Sequence, residues 1–124
     1  MSSRVPNVSL RSTPQPVAIP ALGFGVWQVP DDVVEEAVIT ALDAGYRHVD
    51  TARIYGNEAG VGRALARARA AGMPAEDVFV TTKVWNDDHR AVRPAFEASM
   101  ERLGLHELDL YLIHWPAPAG DAYV

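Results

Sequence analysis

The sequence predicts an α/β protein built on a parallel sheet. Short runs rich in apolar and β-favouring residues, at 22–27, 46–51, 78–83 and 108–114, alternate with helical stripes of apolar residues. Glycine or a glycine–proline pair closes each helical segment, at Gly45, at Gly72 with Pro74, and at Gly104. The run Val78-Phe79-Val80-Thr81-Thr82-Lys83 is nearly continuous in apolar and β-branched residues, the pattern of a parallel strand covered on both faces. Strands and helices alternating at this spacing imply right-handed βαβ crossovers. They leave two architectures open, a small open sheet or the first half of a closed barrel. A closed eight-stranded barrel takes roughly 200 residues or more, and the sequence has 124.

Composition narrows the class. The chain is 48% hydrophobic and 22% charged, as in an ordinary globular domain. A formal net charge of −5 argues against a nucleic-acid surface. With no cysteine, disulfides, zinc–thiolate sites and thiol nucleophiles are excluded. No apolar run is long enough to span a bilayer, and Met1-Ser2-Ser3-Arg4-Val5-Pro6 lacks an apolar signal core. The expectation is a cytoplasmic protein with neither nucleic-acid nor membrane partners.

Taken in order, Val8-Ser9-Leu10 and Val17-Ala18-Ile19 read as a hairpin around the linker Arg11-Ser12-Thr13-Pro14-Gln15-Pro16. Leu22-Gly23-Phe24-Gly25-Val26-Trp27 reads as a strand whose glycines permit close approach. A dinucleotide loop is disfavoured, with two packing glycines in a barrel strand as the other reading. The position of the third glycine after Gly25 holds Gln28, and the pair Gly60 and Gly62 fails in the same way at Leu65. Asp31 and Asp32 suit the cap and first turn of a helix with the stripe Val34, Ala37, Val38, Ala41, Leu42. After the strand 46–51, Asn57 is a good N-cap for a helix from Glu58. Its stripe is Val61, Leu65, Ala68, with Arg63, Arg67 and Arg69 on the solvated side. Asp87 and Asp88 open a third helix, which buries Val92, Phe96, Met100 and Leu103. Leu108 to His114 forms the fourth parallel strand, and Pro116 and Pro118 end it.

Asp50 and Tyr55 after the second strand, Lys83 ending the third and His114 ending the fourth occupy comparable places. Parallel strands bring such ends together, and chemistry concentrates there in α/β folds. A lysine beside a tyrosine stabilises a phenolate, and a tyrosine so tuned can hand a proton to a developing alkoxide. An aspartate holds the lysine charged and oriented. A histidine can donate a hydrogen bond to a substrate oxygen. The hydride such a site calls for must come from a cofactor, because no side chain supplies one. Each residue also has an ordinary reading: a half-buried tyrosine, a solvated lysine, a turn-capping aspartate, a satisfied histidine. Trp27 and Trp85 could wall an apolar pocket or pack in the core. His48, His89 and His106 are read as structural or exposed. A metal site from His48, Asp50 and His114, as in a barrel hydrolase, sits poorly beside Lys83, so no metal is expected.

The stretches Leu22–Trp27, Gly45–Glu58, Val80–Asn86 and Leu108–Pro116 together resemble the aldo/keto reductase family. Trp85-Asn86-Asp87-Asp88-His89 and the ending from Pro116 to Val124 lean towards bacterial reductases of the diketogluconate reductase type. The resemblance implies a (β/α)8 TIM barrel closed below by an N-terminal hairpin, with NADPH bound without a Rossmann domain. It implies carbonyl reduction, of a sugar keto acid, aldehyde or ketone, with Tyr55 as general acid. Lys83 would be the partner of Tyr55, Asp50 the partner of Lys83, and His114 would orient the carbonyl. Gly25, Val26 and Asp50 would contact the nicotinamide riboside, and Trp27, Trp85 and His114 the substrate. Arg53 departs from the small residue common at its position, a difference confined to the loop surface.

On this reading residues 1–124 are a partial barrel domain, truncated after strand four: the hairpin, four parallel strands and three helices. The fragment is expected to be weakly active or inactive. The full-length form is expected to be a monomer, and the short chain to self-associate through its open edges. A non-catalytic, self-associating half-barrel is the alternative.

Overall fold

The computed structural model describes residues 5–11 and 15–116. The expected hairpin is present: β1 (Asn7–Leu10) pairs antiparallel with β2 (Val17–Pro20), Val8 opposite Ile19. Residues 12–14 of its linker and the expected ending from Ala117 lie outside the described residues. A four-stranded parallel sheet follows, in the order β3 (Phe24–Gly25), β4 (His48–Asp50), β5 (Phe79–Val84), β6 (Leu110–Ile113). Helices α1 (Asp31–Asp43), α2 (Glu58–Ala70) and α3 (Val92–Leu103) connect these strands.

Alternation along the strands separates core from site. Val49, Val80 and Leu103 pack with Val34, Val38, Val61 and Leu65 in one core between sheet and helices. Thr51 and Thr82 face the same way, the latter bonded to Glu58 of α2. His48, Asp50, Phe79, Thr81 and Lys83 point to the opposite face. There the His48 and Phe79 rings meet edge to face at 4.9 Å, and His48 Nε2 lies 2.8 Å from Thr81 Oγ1. The central strand β5 is covered on both faces, as its sequence predicts.

Local signals hold at the helix ends and shift at the starts. Gly45, with φ of +107°, follows α1 as the left-handed cap its position requires. Asp31 and Asp32 lie in the first turn of α1, yet no side chain caps that helix. Asp31 Oδ1 instead accepts the Gly60 N–H of α2 at 2.7 Å. The third helix begins at Val92, because Asn86–Asp88 form a 3-10 turn. Val92 is therefore 43% exposed rather than part of the buried stripe, and Ser99 joins Leu103 in the interior. Arg63 and Arg67 are exposed as expected, and they reach α1 through Asp31, Glu35 and Glu36.

Helices α2 and α3 touch backbone to backbone at Gly62. A Cβ there would lie 2.5 Å from the Arg102 carbonyl oxygen and 2.8 Å from that of Leu103. Alanine would return about 1 kcal/mol of helix propensity. Overpacking against unyielding backbone costs about 1–3 kcal/mol or more. Gly62→Ala is therefore expected to lower stability by about 2 kcal/mol in urea unfolding. Unchanged stability would mean that the end of α3 yields freely.

Candidate active site

The four strand-end residues converge. Lys83 stands on β5 two residues beyond the Thr81–Asp50 pair of the ladder, on the same face, so its side chain crosses to the end of β4. Its Nζ donates to Asp50 Oδ1 at 2.8 Å and to the Thr51 carbonyl oxygen at 2.9 Å. It also reaches the Tyr55 hydroxyl at 3.4 Å and lies 5.1 Å from the centre of that ring. The ammonium side chain is 12% exposed and the Asp50 side chain 36%, so the pair is partly screened from the Asp50 side. Tyr55 is delivered by the 3-10 turn Arg53–Tyr55, which ends on Gly56 in the left-handed region.

His114 follows β6, its backbone N–H bonded to the Val84 carbonyl at 3.2 Å. Its ring meets Tyr55 edge-on at 5.6 Å and Trp85 at 5.3 Å. Burial, reinforced by the Lys83 charge and opposed by Asp50, lowers its pKa below the ordinary histidine value. The ring is therefore neutral at pH 7, with one N–H to give. Its Nδ1 is buried with no partner among the described residues. The unfolded chain takes up this proton at about pH 6.5 and the folded chain only at lower pH. The stability His114 contributes is thus whole above about pH 6.5 and is lost as pH falls through the window below it. An NMR titration of the ring is expected to show a midpoint below that of the denatured chain. A midpoint at or above it would contradict the placement beside Lys83.

The remaining predicted residues divide around this centre. Trp85 stacks obliquely with Trp115 at 5.7 Å, and the two indoles flank His114. Trp27 stands on the loop after β3, 68% exposed. Gly25 is the ladder partner of Asp50, and a Cβ at Gly25 would meet nothing within 4 Å. Val26 is fully buried, its N–H bonded to the Asp50 carbonyl at 3.1 Å. Gly25 and Asp50 thus form a ledge beside the lysine, with Val26 buried behind it and its N–H and carbonyl both already bonded. His48, Asp50 and His114 do not make a metal site: among the described residues no cluster of three or more His, Asp or Glu could hold an ion. Sequence reasoning missed Thr51, whose carbonyl holds the ammonium, and Trp115, which extends the aromatic wall.

The sequence and the fold match one family. Residues 21–122 match the aldo/keto reductase family, and the chain belongs to it. An aldo-keto reductase of Mycolicibacterium smegmatis is 52% identical over 109 residues, spanning 86% of this chain and 38% of that protein. The methylglyoxal reductase DkgA of Escherichia coli is 50% identical over 106 residues, with the same shares. The chain therefore spans about 38% of the length of these curated relatives. Among solved structures, an aldo/keto reductase from Brucella melitensis superposes with a TM-score of 0.87 at 47% identity, over 99% of this chain and 45% of that one. A Bombyx mori aldo-keto reductase in complex with NADP gives 0.83 at 39% identity, over 93% of this chain and 39% of that one. The parallel sheet and its helices are accordingly the first half of a (β/α)8 barrel.

Proposed function

We propose that this site reduces a small carbonyl compound to an alcohol with NADPH. The observation that carries the reading is the Lys83 ammonium, held by Asp50 at 2.8 Å and the Thr51 carbonyl at 2.9 Å while it reaches the Tyr55 hydroxyl at 3.4 Å. NADPH supplies the hydride that adds to the carbonyl carbon. Tyr55 gives its phenolic proton to the carbonyl oxygen as the electron pair of the C=O bond moves onto it. Lys83 steadies the negative charge left on the phenol oxygen, and Asp50 keeps the ammonium in place. The neutral His114 donates to the same substrate oxygen and fixes the face presented.

Support for the nucleotide comes from the ledge, where Gly25 leaves open space beside the Asp50 carboxylate and Val26 anchors it. The Bombyx mori structure contains NADP. Trp27, Trp85 and His114 face the substrate. The name of the DkgA relatives makes methylglyoxal, an aldehyde beside a ketone, the first substrate to test. The test is titration of the purified chain with NADPH, followed by tryptophan quenching, and then methylglyoxal-dependent NADPH oxidation. Micromolar binding with weak methylglyoxal-dependent turnover is the expected result. A folded chain that neither binds nor oxidises NADPH would overturn the reading for these 124 residues.

A second reading has its own observation. β6 borders the described sheet, with Leu112 39% and Ile113 52% exposed. An apolar strand at a sheet border is a template for pairing. On this reading the chain associates with a second copy and does no chemistry. Light scattering across concentration is then expected to show a dimer, and a monomer at every concentration would exclude it.

A further inference from the structure

Asn57 occupies the N-cap position of α2, yet its side chain makes no cap hydrogen bond there. Asp31, from another helix, takes the Gly60 N–H instead. The Asn57 carboxamide, fully buried, is aimed at the loop after β3. Its Nδ2 donates to the Val26 carbonyl at 2.9 Å and to the Val29 carbonyl at 3.0 Å, while its Oδ1 accepts the Thr51 hydroxyl at 2.7 Å. Only this orientation of the amide satisfies all three partners, since the reverse would set its oxygen against two carbonyl oxygens.

The two carbonyls it grips bracket Trp27 and Gln28. Residues 26–29 form a tight turn, closed by the Val29 N–H on the Val26 carbonyl at 3.2 Å. Its third residue, Gln28, has φ of +63°, where a turn of this kind calls for glycine or asparagine. A glutamine is strained there, so the turn persists only if something outside it holds it. Thr51 ties the same clamp to the reaction centre: its hydroxyl holds Asn57, and its carbonyl holds the Lys83 ammonium.

We propose that Asn57 is the positioning residue of the substrate wall: through its grip on residues 26–29 it fixes where Trp27 stands relative to Lys83, and so which carbonyl compounds the pocket admits. The inference rests on reading Trp27 as a wall of that pocket. Asn57 itself touches neither substrate nor nucleotide.

The test reads Trp27 without any ligand. The full chain is labelled with 5-fluorotryptophan, and its three indole resonances are assigned by replacing each tryptophan with phenylalanine. In Asn57→Ser the Trp27 line is expected to move towards its unfolded position and to narrow about twofold as the ring gains nanosecond freedom. The Trp85 and Trp115 lines stay in place. Thr51→Val, which replaces the hydroxyl with a methyl of similar size, is expected to give a smaller shift in the same direction. Gln28→Gly is expected to raise the folding equilibrium constant about threefold in the parent chain by relieving the strained φ, and to do nothing or harm once Asn57 is serine. A Trp27 line unmoved in folded Asn57→Ser overturns the proposal. So does loss of all three lines together in both Asn57→Ser and Thr51→Val, because Asn57 would then serve the whole fold. These outcomes are independent of NADPH oxidation: failure to reduce methylglyoxal would remove the functional reading and leave the clamp standing.

Discussion

Tyr55→Phe is expected to lower carbonyl reduction by about 10²–10⁴-fold, the usual worth of a positioned proton donor. NADPH binding is expected to stay within about threefold, less than 1 kcal/mol. The substitution is narrow. Phenylalanine keeps the ring that meets His114 at 5.6 Å and lies under the Lys83 ammonium at 5.1 Å, so the aromatic wall survives. Only the hydroxyl 3.4 Å from Nζ is lost. Lys83→Met is expected to cost as much in turnover, and it differs in stability. It strips the Asp50 carboxylate and the Thr51 carbonyl of the cation that bonds both. Lys83→Arg is not expected to rescue it, because a planar fork replaces a compact ammonium within the same three contacts. Stopped assays with each variant, beside tryptophan quenching by NADPH, separate proton transfer from nucleotide binding. Turnover retained in Tyr55→Phe would move the proton donor to His114 and reverse the two roles.

Strand ends were legible because the sheet is parallel. Once Tyr46–Thr51, Val78–Lys83 and Leu108–His114 read as neighbouring strands, Asp50, Lys83 and His114 had to lie along one rim. Tyr55 followed because it sits five residues past Asp50 in the same loop. The interior strand β5 announced itself by burial on both faces. What the sequence hid is what depends on distant partners. The run Leu22–Trp27 looks like a full strand, but only Phe24–Gly25 pairs, since beyond Gly25 the chain turns under the grip of Asn57, some thirty positions away. Asn57 and Asp31 both carry cap chemistry, and each spends it on a segment remote in sequence. The Thr51 carbonyl has no signature at all, because every residue owns one.

The largest stability change is expected at a residue remote from the chemistry. Arg102→Met is expected to cost about 3–5 kcal/mol, the penalty for stranding a buried charge, out of the 5–15 kcal/mol typical of a domain. Glu58 opens α2 with its side chain 1% exposed. One carboxylate oxygen accepts Arg102 Nε at 2.9 Å and lies 2.8 Å from Nη2 as an ion pair, and the other accepts the Thr82 hydroxyl at 2.7 Å. Methionine keeps the arginine stem's packing and removes its charge, leaving one hydroxyl to answer an ionised carboxylate. The reverse deletion is milder. Glu58→Gln still accepts from Thr82, and Arg102, 35% exposed, can turn to water, so about 1–2 kcal/mol is expected. The double variant removes both charges and is expected to regain part of the Arg102→Met loss, which a urea-unfolding cycle measures directly. The position makes the network matter to the site. Glu58 adjoins Asn57, Thr82 adjoins Lys83, and Arg102 lies in the last turn of α3, so three elements meet on one carboxylate. A loss of less than about 1 kcal/mol in Arg102→Met would mean that water reaches Glu58 as α3 parts from α2, and Lys83 would then rest on a looser floor than these contacts describe.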